Sequence, residues 1–513
     1  MTSIILEPLP RAILSMTKPI DWDALIGPKP TQKAPGAPNV ITVVDLRNGA
    51  IPMEIAYGWF HDRIDSSASG ARLVENILDV RGDQDRLVFA EQYAEHVLDI
   101  TDMKDAMWFR RGVMLKENIP STRYPRQRDH TIHTLHNYFL GWYLFINSPK
   151  VAKEFRKALL VRGIVSKTDK SIIFKFGELW CFASLLHDIG YLFEGEIPKQ
   201  KMALVDQGIR EGMDWVSEYF HELFWKEWNL RGVDERRNAR ALFEFDGEPT
   251  LDGGAGRIIH FLRDLGTLEN VQAAIVSETG DTGNLPKLSP DAFRVWELNY
   301  RSFGQPQMAE RIKGLEEALY SVSEDGIPGS AVRVLDHGIC GGLLLLKFST
   351  YWFRAFFALK KATPSPGSVE AELQDRMKSQ VGWPSYRAAH WWRSVVWATA
   401  AVALHNVQQS PNFPGWKEKL ELSEDPLAYL GVLVDVLQEW DRHSTRKVTA
   451  VESDERMINS NDVRIGHSAD GKIYIQYGCR DGKAAERQQK ITAQLDMALA
   501  DWDQIVEISC QAI

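Results

Sequence analysis

Apolar positions three and four residues apart dominate this chain, and that period belongs to helices. LVENILDV and LVFAEQYAEHVLDI carry it between about Glu54 and Glu117. From Asp129 to about Arg442 the runs lengthen: HTLHNYFLGWYLFI, GELWCFASLLHDIGYLF, MDWVSEYFHELFWKEW, GICGGLLLLKFSTYWFRAFFAL, SVVWATAAVALHNV and PLAYLGVLVDVLQEW. Several are apolar nearly all round, as expected of helices inside a large helical domain. Breakers separate them in DGEPTLDGGAG, TGDTGNLPKLSP, EDGIPGS and ATPSPGSVE.

The two ends differ from the middle. Residues 1–40 are rich in Pro and Gly and lack a period, so they predict a surface arm, followed by a short β-branched strand at 39–46. Near the other end, VRIGHSADGKIYIQYGC alternates around Asp-Gly, a hairpin signal, before an amphipathic helix in ERQQKITAQLDMALADWDQI. The predicted fold is mainly α. It comprises an N-terminal arm and helical extension (1–117), a large all-helical core (118–450) with an insertion at about 195–330, and a small α+β unit (451–513).

Composition narrows the possibilities. The 513 residues carry 60 Lys plus Arg against 69 Asp plus Glu, a formal charge of −9, which argues against a basic nucleic-acid coat and against duplex nucleic acid as a ligand. Four dispersed cysteines form no CxxC pair, so neither a disulfide framework nor a thiolate zinc site is expected. No apolar stretch approaches the ~20 residues that span a bilayer. The N-terminal MTSIILEPLPRAILSM, with two prolines, makes a poor secretory leader, so a cytoplasmic protein is expected.

Polar residues that intrude on apolar helices are the candidates for chemistry. His187 and Asp188 end the helix of SLLHDIG, and a buried carboxylate must be paired or metal-bound. The isolated pair His61–Asp62 is ordinarily a capped helix end and is left as such. Around His187–Asp188 the setting is richer. His130, His133 and His136 recur every three residues in RDHTIHTLHN, so neighbours share a helix face. His337 opens an apolar helix, His405 closes one and Asp435 lies within a third. Imidazole and carboxylate ligands of this kind suit one or two divalent ions (Mn, Mg, Fe or Zn), and a helical core can gather them from facing helices.

The ordered set His133, His187–Asp188, His337, His405, Asp435 resembles the HD superfamily of metal-dependent phosphohydrolases. HDIG, that family's signature tetrad, stands at 187–190, and RDHTIH, DHGICGG and VDVLQEWDR resemble its other ligand helices. The resemblance spans about 128–442. It implies that His133, His187, Asp188 and Asp435 hold one metal, and that in two-metal members Asp188 bridges to a second ion held by His337 and His405. Two such cations clamp the attacking and leaving oxygens of a phosphoester and acidify a bridging water.

The sequence also departs from the family. Where cyclic-dinucleotide phosphodiesterases carry Lys after the tetrad, and deoxynucleotide triphosphohydrolases usually His, this chain has Tyr191. The leaving-group acid is therefore not set by motif, and His130, one turn before His133, is the first candidate beside the catalytic carboxylate Asp188. Arg128, Tyr191, Arg333 and Arg442 are candidates for substrate binding, with Arg123, Arg126 and Arg393 as further phosphate partners. No P-loop, dinucleotide fingerprint or GxSxG occurs. The expected activity is hydrolysis of a small-molecule nucleotide, first a deoxynucleoside triphosphate. The alternatives are a phosphodiesterase on a cyclic or oligonucleotide, and a non-catalytic nucleotide-sensing module. A homo-oligomer is possible by analogy.

Overall fold

A computed structural model describes residues 7–8, 83–101, 103–117, 130–166, 172–193, 259–280, 285–323, 332–361, 363–368, 371, 374, 387–406, 418–440, 458–459, 462–480 and 482–513. The expected strand at 39–46, His61–Asp62 and much of the 195–330 insertion lie outside them.

The described chain is mainly helical, as its apolar period predicts. In order, the helices are α1 (Asp83–Ile100), α2 (Met107–Glu117), α3 (His130–Asn147), α4 (Pro149–Val161), α5 (Ile172–Leu185), α6 (Glu269–Thr279), α7 (Ala292–Ser302), α8 (Pro306–Ala318), α9 (His337–Lys361), α10 (Val396–Leu404), α11 (Pro426–Leu437) and α12 (Ala484–Ala498). The strands are β1 (Glu7–Pro8), β2 (Tyr320–Ser323), β3 (Val332–Leu335), β4 (Val463–His467), β5 (Ile473–Cys479) and β6 (Val506–Ala512). They divide into two compact units, the first Met1–Met107, Glu117–Leu186 and Glu418–Ile513, the second Trp108–Lys116 and His187–Lys417.

In the first unit α3 is its own best argument for an interior position: His130 through Ile146 are all buried. Phe145 of α3 stacks on Phe176 of α5 at 3.8 Å, and the Trp180 indole N–H donates to the Tyr138 carbonyl at 3.0 Å. Helix α11 starts sharply because Pro426 sits in its first turn. Buried Asp425 accepts from the Leu427 and Ala428 amides at 3.0 Å each, which caps it.

The Asp-Gly hairpin forms where the alternation places it. β4 and β5 pair antiparallel, and Gly471 supplies the positive φ of 81°. Beyond it the structure corrects the sequence reading. Helix α12 stops at Ala498, where Leu499 turns extended, and the chain returns as β6, parallel to β5. A second two-stranded sheet, β2–β3, was not expected either.

In the second unit α9 and α10 lie close together. Gly342 makes this possible, because a Cβ there would stand 2.6 Å from the Thr399 carbonyl. Thr399 also receives the Trp296 indole N–H of α7 at 3.0 Å.

One charge sits deep in this unit. Lys347 of α9 is 2% exposed, its ammonium donates to the Asp264 carbonyl, and it lies over the rings of Phe261 (4.3 Å) and Tyr351 (5.1 Å). Burial pulls its pKa down to about 7, Arg354 adds to the fall and the Asp264 carboxylate opposes it. Between about pH 7 and 10 the unfolded chain therefore binds a proton that the folded chain gives up, and stability rises with pH across that window. Replacing Lys347 with Met should flatten that rise, which is on the order of a few kcal/mol. Denaturation midpoints of the two proteins at pH 7, 8.5 and 10 would show it, and parallel curves would contradict it.

Candidate metal centre

In the first unit α3 and α11 present His133 and Asp435 to one another. The hydrogen bonds around His133 decide which nitrogen carries its proton. The Gln438 amide N–H donates to the Trp440 carbonyl, which leaves the Gln438 Oε1 facing His133 Nδ1. That oxygen only accepts, so Nδ1 holds the hydrogen. Nε2 then offers a lone pair: Asn137 Nδ2 donates to it at 3.1 Å, and Asp435 Oδ1 stands 2.7 Å away. A lone pair and a carboxylate oxygen at that separation repel unless positive charge stands with them, as a second ring proton or as a cation.

The longer segment of the second unit begins at His187. His187–Leu192 forms a 3₁₀ turn, and its Asp188 is buried. Three imidazoles face one oxygen of that carboxylate. Asp188 Oδ1 is 3.2 Å from His187 Nε2 and 3.7 Å from both His337 Nε2 and His405 Nε2. His405 Nδ1 lies 2.6 Å from the Val402 carbonyl and donates to it, so the lone pair of its Nε2 points toward Asp188. His187, Asp188 and His405 each offer a ligand atom within 4.8 Å of the others, so this buried group could hold a metal ion. The donor set fits: a desolvated carboxylate is costly to bury, and a divalent cation held by it and by imidazole nitrogens offsets that cost.

Glycines set this geometry. A Cβ on Gly190, the last residue of HDIG, would fall 1.8 Å from the His337 carbonyl oxygen and 2.6 Å from the Gly341 amide. The turn can touch the first turn of α9 only because position 190 has no side chain, and that contact brings Asp188 to His337. Gly338 does the same toward α10, since a Cβ there would meet the His405 ring at 2.9 Å.

Of the residues singled out from sequence, the first unit brings together His133 and Asp435, with His130 buried at the start of α3. The second unit brings together His187, Asp188, His337 and His405. Tyr191 lies against the site by stacking on the His337 ring at 4.0 Å and 16°. Arg333 is on β3, its backbone opposite Val322, while Arg123, Arg126, Arg128 and Arg442 fall outside the described residues. Trp391, Trp392 and Trp397 are buried in the core.

Sequence reasoning missed four polar neighbours. Asn137 and Gln438 bond to His133, and Asp336 and Asn406 adjoin His337 and His405. A faint signal existed, because Asn137 and Gln438 follow nominated ligands by one helical turn. Among the described residues, no helix is long and apolar enough to cross a membrane. Comparison with protein-family models, with curated proteins and with solved structures gives no match for this chain.

Proposed function

We infer that this chain is a metal-dependent phosphohydrolase of the HD type acting on a nucleotide, a deoxynucleoside triphosphate first. The observation that carries the reading is the convergence of three imidazole Nε2 atoms on the single oxygen Asp188 Oδ1. In this reading Asp188 with His187, His337 and His405 would hold two divalent ions, the second of them at His337 and His405. The bound ions supply Lewis acidity and a water acidic enough to yield hydroxide near neutrality. The protein orients them. Gln438 and the Val402 carbonyl fix the tautomers of His133 and His405, so that Nε2 is the donor atom in each. Asp188 is the catalytic carboxylate and His130 the candidate proton donor to the leaving group.

A phosphodiesterase acting on a cyclic or oligonucleotide is the second reading, favoured by His337 and His405 lying equally far from Asp188, as ligands of a second ion would. One screen separates the readings. The purified chain, loaded in turn with Mn, Mg, Fe or Zn, is offered dNTPs, NTPs, cyclic nucleotides and short oligonucleotides, and products are resolved by chromatography. Release of tripolyphosphate and nucleoside from dNTPs is the expected result. Cleavage of cyclic or oligonucleotides alone would install the second reading. Nucleotide binding without turnover under every metal would replace both with a sensing role.

A further inference from the structure

The residue before His337 and the residue after His405 hold each other. Asp336 is 4% exposed, and its two carboxylate oxygens have separate partners. Oδ1 accepts the Ile339 amide at 2.9 Å and so caps α9, while Oδ2 accepts the Asn406 side-chain amide at 3.0 Å. The Asp336 backbone amide donates to the Leu319 carbonyl at 3.0 Å, so the carboxylate is held from behind. Capping accounts for Oδ1 only. The second bond ties together two chain segments 70 residues apart in sequence.

That bond joins the two chain segments that carry two of the imidazoles facing Asp188. His337 and His405 are the immediate chain neighbours of Asp336 and Asn406, their ring centres lie 5.3 Å apart, and both Nε2 atoms stand 3.7 Å from Asp188 Oδ1. The close approach at Gly338 leaves the His405 ring little room to shift inward. If the start of α9 and the end of α10 separated, the two Nε2 atoms would no longer share one oxygen.

We propose that the Asp336–Asn406 pair is a positioning clamp that presets His337 and His405 to receive a second divalent cation. The clamp rests on the two-ion reading of this site. It touches neither ion nor substrate, and it acts through the imidazoles it spaces. Removing its amide would leave Asp336 Oδ2 buried without that donor and would loosen the pair, and groups that orient metal ligands in this way typically set affinity by about 10–100-fold.

The test is calorimetric titration of the full metal-stripped chain with Mn²⁺ alone. In the wild type two ions should bind. In Asn406→Ala one should bind as before and the other about 10–100-fold more weakly. The exchanged pair, Asp336→Asn with Asn406→Asp, still sets an amide donor against a carboxylate and leaves an oxygen to cap Ile339. It should restore the lost affinity, which a loss of folding would not permit. Unchanged binding in Asn406→Ala, or an exchanged pair as weak as Asn406→Ala, overturns the clamp and leaves the metal site standing. A wild type that takes up one ion overturns the clamp with the second site, and one that takes up none overturns the phosphohydrolase reading as well.

Discussion

Replacing Gly190 with alanine should destabilise the second unit by about 3 kcal/mol or more, because the new methyl group would overlap the His337 carbonyl oxygen. At 1.8 Å the overlap is with backbone, which cannot swing aside as a flexible side chain would. Relief requires the turn at 187–192 and the start of α9 to part, and that motion also carries Asp188 away from His337. For a unit of this size the loss corresponds to a fall in melting temperature of roughly 6–12 °C. Scanning calorimetry of the variant beside the wild type measures it. A melting temperature within a degree or two of the wild type would mean that this contact is not made in solution.

Asp188→Ala should have the largest effect on chemistry. The carboxylate faces His187, His337 and His405, so its removal takes away both the charge that attracts a cation and an oxygen that could serve two. Elemental analysis should find no bound transition metal in the variant, and nucleotide hydrolysis should fall to background. Asp188→Asn should do nearly the same, since an amide keeps the shape but not the charge. Folding should survive, because the substitution takes a buried charge out of the second unit and leaves no carboxylate there to be desolvated. A variant that kept both metal and activity would place the site elsewhere.

Much of this architecture is local in the sequence, and so it is legible there. Helices α3, α5, α9, α10 and α11 follow runs whose apolar positions cover the whole helix, and most of their described side chains are buried. His187–Asp188, His337, His405 and Asp435 stood out because polar groups at the ends or interiors of such helices need a reason. What could not be read depends on partners distant in the chain. β6 is the clearest case: VEISCQA is short, and its parallel pairing with β5 is set across a helix and a turn rather than by a tight hairpin. The positive φ of 52° at Asp501, just past α12, belongs to that return and has no motif.

The same division runs through the site. Gly190 was visible as the last letter of a tetrad, but its reason is a carbonyl on α9. Asp336 and Asn406 are an ordinary cap and an ordinary helix-end residue until the fold sets them 3.0 Å apart. Gln438 lies three residues after Asp435, yet only the Trp440 carbonyl on its amide reveals that it fixes the His133 tautomer. Roles that rest on one group orienting another are fixed by tertiary geometry, and spacing along the chain carries little trace of them.

The number of cations the chain binds is the most direct measure of a two-ion centre. Manganese titration of the metal-stripped protein, read from the paramagnetic resonance of free Mn²⁺, counts bound ions per chain. The expected result is two ions in the wild type and one in His405→Ala, whose Nε2 lies 3.7 Å from Asp188 Oδ1. A wild type that binds no manganese, or a His405→Ala variant that still binds two ions, would contradict it.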